Sequence, residues 1–239
     1  MAAYRSFTFN NKNSLAYGIY LTGEPVYNAP ARAVDKITIP GRDGDLLMDQ
    51  GRYENIEVKY PAGAFGETQA DFATTMAAIR DFLGPLHGYH RLTDDYNPEE
   101  YRLASFKAGL DVSPVPFQRA GEFDLVFDCK PQRFLTSGEQ VTTFTASGTI
   151  SNPTPYDAKP LLVVTGTGNL TVNGVQIAIS KTPTTIDCEA MEAYNGSTSR
   201  NGDIILTPNR FPVLSAGSNT ITLGAGITKV EITPRWWRL

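Results

Sequence analysis

The residues best placed to do chemistry lie between positions 87 and 100. His87 and His90 are the only histidines among 239 residues, spaced HxxH, with Asp94 and Asp95 close behind. On a helix that spacing turns both imidazoles toward one ion. Here it follows Gly84-Pro85 and encloses Gly88, which favour loop and strand, so the pair reads as surface or edge-strand histidines. Asp94-Asp95 and Glu99-Glu100 have the composition of a glycosidase acid and base, but adjacent acids in a turn-rich segment are more simply a solvated surface. No nucleophile elbow surrounds a Ser or Cys. The run Ile39-Pro40-Gly41-Arg42-Asp43-Gly44 lacks both the Lys-Ser/Thr ending of a phosphate loop and GxGxxG spacing. Cys129 and Cys188 are isolated, which suggests neither a disulfide framework nor a zinc site. No catalytic residue, metal site or cofactor is expected.

What the distinctive segments offer instead is surface. Pro40-Gly41 and Asp43-Gly44 each turn the chain and present Arg42 between them. Arg42 and Asp43 are therefore either an ordinary hairpin tip or part of an interface. At Lys130-Pro131-Gln132-Arg133, proline is expected to interrupt a sheet ladder. Lys130 and Arg133 then either pair across a subunit boundary or protect an edge strand by charge. The polar turn from Asp94 and Asp95 to Glu100 is a candidate arm between subunits. Trp236 and Trp237 together suggest a sugar-stacking platform, although adjacent strand residues face opposite ways and leave at most one exposed. The alternative is that one fills the sandwich core and the other packs against the first domain or a loop.

The elements that must position these residues are mostly strands. Alternation of apolar residues predicts strands at 4–9, 14–20, 33–39 and 55–60, a meander or small barrel. One helix is predicted over 68–83, where Phe72, Met76, Ile79 and Leu83 recur at helical spacing. Thr68 and Asp71 form a capping-box pair, and Gly84-Pro85 supplies the stop. Strands at 89–93 and 100–106 flank the Asp94–Pro98 turn. The strand at 122–129 places Phe123, Leu125, Phe127 and Cys129 on one side and closes the first sheet. Beyond it come strands at 142–150, 160–165, 170–172, 175–179, 184–187, 204–206, 219–223 and 229–233. Val172-Asn173-Gly174-Val175 reads as a tight hairpin turn. The fold class expected is mainly β, ending in an antiparallel β-sandwich or jelly roll.

Composition divides the chain in the same region. Residues 1–137 hold 14 Lys plus Arg against 18 Asp plus Glu, whereas 138–239 hold 7 of each and are rich in Thr, Ser, Asn and Gly. Two domains are expected, 1–137 and 138–239, with the boundary among Leu135–Gln140. A sequence pI near 5.3 without a basic run argues against stable nucleic-acid binding. No apolar stretch approaches the roughly 20 residues of a membrane helix, and the start, MAAYRSFTFNNK, lacks the apolar core of a signal peptide. A protein made in a cytoplasm, without membrane insertion, is expected.

Taken in order, several segments resemble those of the distal tail proteins of long, non-contractile-tailed bacteriophages, the Dit family. They are IPGRDG after an apolar strand, FDCKPQRF at Phe127–Phe134, Asn152-Pro153-Thr154 leading to Lys159–Val164, Ile186-Asp187-Cys188-Glu189, and the ending Ile232-Thr233-Pro234-Arg235-Trp236-Trp237. The resemblance implies a structural hub of the virion tail tip, assembled in the host cytoplasm. Its N-terminal belt domain, with a sheet, one helix and a projecting hairpin, would form a homo-hexameric ring. A galectin-like or carbohydrate-module-like sandwich would lie at the periphery. The ring would join the tail tube protein to the tail-tip protein, with a receptor-binding protein as a further partner, and DNA would pass through its channel. The rival implication is a host-recognition lectin acting through the second domain, although the galectin-type HxNPR run is absent.

Overall fold

A computed structural model describes residues 5–24, 28–107, 109–114 and 119–239, apart from the side chains of Ser113 and Pro114. The chain is mainly β and divides into two units, one from Met1 to Arg133 with Leu239, the other from Phe134 to Arg238.

The first unit is built from β1 (Phe7–Phe9), β2 (Lys12–Asn13), β3 (Tyr20–Leu21), β4 (Arg32–Ile37), β5 (Leu46–Tyr53), β6 (Ile56–Phe65), α1 (Gln69–Leu83), β7 (His90–Asp94), β8 (Glu100–Phe106), β9 (Ser113–Pro114) and β10 (Ala120–Leu135). Its main sheet runs β2-β1-β7-β8-β10-β6-β3, with β9 also on β10, while among the described residues β4 and β5 pair only with each other. The β6–β10 ladder is the longest, from Ala120 opposite Phe65 to Cys129 opposite Ile56. Strict alternation buries Phe123, Leu125, Phe127 and Cys129 on one face. Helix α1 closes that face with Phe72, Met76, Ile79, Phe82 and Leu83. The Phe127 ring meets Phe7, Phe9 and Phe106 edge-on at centroid distances of 5.6, 5.1 and 5.5 Å. Such pairs add stabilisation beyond the area they bury.

Capping fixes where α1 begins. The Thr68 hydroxyl accepts from the Asp71 amide while the Asp71 carboxylate accepts from the Thr68 amide. The helix ends at Gly84, still right-handed at φ −67°, so the stop is made by Pro85 and not by a left-handed glycine.

Two expectations for this unit need correction, and one strand was not foreseen. The strand expected over 14–20 is a 3-10 turn at Ser14–Tyr17 followed by the short β3. Asn13 accepts from the Leu15 amide at 2.9 Å and Gly18 adopts φ 72°, so local cap chemistry overrides alternation. Pro131 does not interrupt its strand, because it lies beyond the last β6 partner of β10 and displaces no bond of that ladder. Strand β5 was not expected at all, since Leu46-Leu47-Met48 carries no alternation.

The second unit contains β11 (Thr142–Phe144), β12 (Gly148–Asn152), β13 (Leu161–Gly166), β14 (Gly168–Val172), β15 (Val175–Ile179), β16 (Thr184–Asp187), β17 (Glu192–Asn195), β18 (Thr198–Ser199), β19 (Ile204–Thr207), β20 (Gly217–Leu223) and β21 (Ile227–Thr233). They form two antiparallel sheets, β11-β21-β13-β16-β17-β18 and β12-β20-β14-β15-β19. Leu162, Val164, Ile186, Val230 and Ile232 from one sheet and Leu170, Val172, Ile177 and Ile221 from the other share a core with no exposed surface. The single strand expected over 142–150 is two strands in different sheets, separated by the bend at 145–147. Asn152, nearly buried, donates to the Tyr156 and Leu214 carbonyls and accepts from Thr154, so no polar atom of its amide is stranded.

Candidate assembly interface

The exposed apolar residues of the first unit concentrate on the β4–β5 hairpin. Its register places Asp35 opposite Met48, Lys36 opposite Leu47 and Ile37 opposite Leu46. Directly opposed residues share a face, so Ile37, Leu46 and Met48 line one side and Val34 and Leu47 the other. All five are exposed, Leu47 by 61% and Met48 by 52%. Among the described residues neither strand pairs with a third. A two-stranded hairpin with no packed face is marginal in water. Polar links steady it instead: Arg32 pairs with Asp49 at 2.6 Å, Gln50 donates to Asp35, and Thr38 donates to Asp45 across the tip. The loop 38–45 carries Arg42 and Asp43, both exposed, between Gly41 and Gly44 at φ 78°.

The same unit carries a cleft of about 210 Å3 lined by Asn28, Tyr60, Asp94, Glu100, Arg102 and Arg133, among others. Asp94 is fully engaged there. One oxygen accepts from the Tyr60 hydroxyl at 2.6 Å and the other from the Tyr96 and Asn97 amides. Burial, reinforced by Asp94, pushes the Tyr60 hydroxyl well above its ordinary pKa. Asp95 accepts from the Ser6 amide and hydroxyl. The segment from Asp94 to Glu100 is thus a closed turn tied to β1 and β6. Arg133 pairs with Glu100 at 3.3 Å and donates to the Leu239 carbonyl. Lys130 sits over the Tyr89 ring at 5.2 Å. Of the six interface candidates read from sequence, Arg42 and Asp43 stand together and open. Asp94, Asp95, Lys130 and Arg133 have partners within the chain. The reading missed Ile37 and Leu46–Met48, for which three consecutive apolar residues after a polar tip were the available signal.

The tryptophans separate. Trp236 is core and offers no stacking face, whereas Trp237 stacks on Tyr156 at 4.6 Å and donates to the Asp157 carbonyl. Arg235, at φ 59°, forks onto Asp187 at 2.7 and 2.8 Å, joining two runs that the sequence presented far apart. The Arg235 hydrogen bonds hold the Asp187 carboxyl down at about 2. Cys129 and Cys188 are free and buried, and burial pushes both thiols up to about 12, far from a reactive thiolate. The Nε2 of His90 bonds the His87 carbonyl at 3.0 Å. Among the described residues no group of three or more His, Cys, Asp or Glu is arranged for a metal ion, and no helix is long and apolar enough to cross a membrane.

No protein-family model matches the chain, and no curated protein matches it. Solved structures do. The SPP1 Dit protein, described as a paradigm of the hub adsorption apparatus in phages infecting Gram-positive bacteria, superposes over 99% of this chain and 100% of its own at a TM-score of 0.77 and 14% identity. The chain has the Dit fold. Two structures of the phage p2 baseplate in its activated conformation, with strontium and with calcium, align at TM-scores of 0.48 and 0.47 and identities of 9% and 8%. They cover 99% and 96% of this chain and 99% and 98% of their own.

Proposed function

We propose that this chain is a distal tail hub protein of a long-tailed, non-contractile phage, working as a ring of six copies. The observation that carries this reading is the end-to-end fold match to SPP1 Dit, at a TM-score of 0.77 over 99% of the chain. In this reading residues 1–137 form the ring-building belt and 138–239 the peripheral sandwich. The tail tube protein docks on one face and the tail-tip protein on the other, with a receptor-binding protein as a further partner. The role is structural, at the virion tail tip after assembly in the host cytoplasm, and no catalytic step is assigned.

A hub needs surface that a single copy leaves open, and the β4–β5 hairpin supplies apolar residues on both of its sides. A head-to-tail contact repeated by rotation closes a ring when the angle divides the circle. The acidic excess of residues 1–137 favours DNA passage over retention, since like charge weakens phosphate contacts. Sugar binding by the sandwich would fall to Trp237 alone, and a glycan titration that shifts its fluorescence is the result that would revive that reading.

Light scattering over a range of protein concentrations, followed by negative-stain imaging of the largest species, tests the ring. Six-subunit rings with an open centre are expected. A strict monomer that also ignores added tail-tube and tail-tip proteins would overturn the hub.

A further inference from the structure

Three Asn-Gly steps lie in the second unit, at Asn173-Gly174, Asn195-Gly196 and Asn201-Gly202. Glycine after asparagine leaves the following amide nitrogen unshielded by any side chain, and its backbone can swing that nitrogen toward the asparagine carboxamide. Closure of the resulting five-membered ring is the route by which asparagine loses its amide. Along the chain the three steps are equivalent. Their glycines are equivalent in the fold as well. A Cβ on Gly174, Gly196 or Gly202 would meet nothing within 4 Å, and none of the three amides donates to a backbone acceptor among the described residues.

The asparagines differ. Asn173 Nδ2 donates to the Val213 carbonyl at 3.0 Å and to Asn219 Oδ1 at 2.5 Å, and its Oδ1 accepts from the Thr220 amide at 2.9 Å. Turning that carboxamide toward Gly174 breaks all three bonds. Asn201 Oδ1 accepts from the Ala193 amide at 2.5 Å, in a 3-10 turn steadied by the Arg200–Asp203 and Lys181–Asp203 ion pairs. Among the described residues the Asn195 carboxamide has no hydrogen-bond partner. Asn195 also ends its strand. β17 and β18 share only the pairs Tyr194–Ser199 and Asn195–Thr198, at the margin of their sheet, and so short an edge ladder opens locally with ease.

We propose that Asn195 is a modification site of the folded chain, converting in water to aspartate and isoaspartate while the fold protects Asn173 and Asn201. The Gly196 amide gives its proton to hydroxide, and its nitrogen attacks Asn195 Cγ. The N–Cγ bond forms, the Cγ–Nδ2 bond breaks, and ammonia leaves with a proton taken from water. A further water opens the succinimide at either carbonyl, and nothing is oxidised or reduced. Both products place a carboxylate at the β17–β18 turn. Isoaspartate also routes the backbone through the former side chain, which adds a methylene and breaks the Asn195–Thr198 pair, one of the two that hold β18.

Peptide mass spectrometry of the intact native chain, held at mildly alkaline pH and digested at intervals, reads this chemistry. Trypsin cuts after Lys181 and Arg200 and so places each asparagine on its own peptide. Asn195 should convert at least about tenfold faster than Asn173, with Asn201 between them, since each hydrogen bond that must open slows the closure. In guanidinium the three should convert at similar rates. Asn195→Gln, whose longer side chain closes a six-membered ring reluctantly, should remove most of the acidic shift that the native chain develops on isoelectric focusing. The assignment is wrong if Asn173 or Asn201 leads in the native chain, or if Asn195 stays intact over the time in which all three convert in guanidinium. It is equally wrong if the native ordering persists in guanidinium, because the neighbouring sequence and not the fold would then set the rates.

Discussion

The hairpins β4–β5 and β14–β15 are alike in design and opposite in fate. Both are antiparallel, and both turn through residues at positive φ: Gly41 and Gly44 at 78° in the first, Asn173 at 48° and Gly174 at 78° in the second. Both are rich in large apolar residues. In β14–β15, Leu170, Val172, Val175, Ile177 and Ile179 are buried beneath the facing sheet. In β4–β5, Val34, Ile37, Leu46, Leu47 and Met48 stand in solvent. Apolar content alone does not decide burial; a second layer does, and a strand pair supplies none by itself. The sandwich hairpin is completed within its own chain. The other keeps its apolar residues exposed.

The largest test of this contrast removes volume from the closed hairpin. Ile177→Ala should cost roughly 2–5 kcal/mol in urea unfolding, because its site has no exposed surface to relax into. A loss below about 1 kcal/mol would mean the sandwich core is not packed as described.

Next in size is the ion pair that ties the sandwich's last segment to β16. An unfolded aspartate titrates near about 3.9, and Asp187 is held down at about 2 in the folded chain. Its contribution is therefore present above about pH 4 and is lost as the pH falls toward 2. Asp187→Asn should lower stability by about 1–2 kcal/mol at pH 7, allowing for partial solvent screening, and the gap to the parent should close as the solution is acidified. A gap that persists at pH 2 would assign the effect to packing and not to charge.

A matched strain sharpens the comparison further. Gly174→Ala and Gly44→Ala place a Cβ on backbones with the same φ of 78° and nothing within 4 Å. The first should reduce global stability by about 1 kcal/mol, since its turn is part of a cooperative core. The second should leave the global transition unmoved, and hydrogen exchange of β4–β5 amides should speed up locally.

The smallest expected effect on stability belongs to the open hairpin. Ile37→Ser with Met48→Ser should change the unfolding free energy of the isolated chain by no more than about 0.5 kcal/mol, while self-association by sedimentation is lost. A large destabilisation would show that the hairpin is already buried within one copy.

Much of this architecture was readable along the chain. Phe72, Met76 and Ile79 announced the helix, Thr68 and Asp71 its start, and Phe123 to Cys129 the strand at the heart of the first sheet. These signals are local, and periodicity reports them directly. The errors came where local chemistry competed with periodicity or where pairing was remote. Asn13 and Gly18 turned an alternating run into a 3-10 turn, and the bend at 145–147 sent one apparent strand into two sheets. For the candidate interface, the tip at Arg42 and Asp43 was legible because turn residues mark it. The cleft lined by Asn28, Arg102 and Arg133 was not, because these residues come from three distant segments that meet only in the fold.

The sequence alone determined which residues alternate, where the helix is capped, where Asn173-Gly174 reverses the chain, and that no nucleophile signature is present. Those properties depend on neighbours a few positions apart. Only the tertiary structure decided that Trp236 is core while Trp237 stacks on Tyr156, that Asp94 is spent on Tyr60 and its own turn, and that Arg235 reaches Asp187. It also decided that Ile37, Leu46 and Met48 share an uncovered face. Burial and pairing are properties of what lies opposite a residue, and chain order does not specify which distant segment that will be.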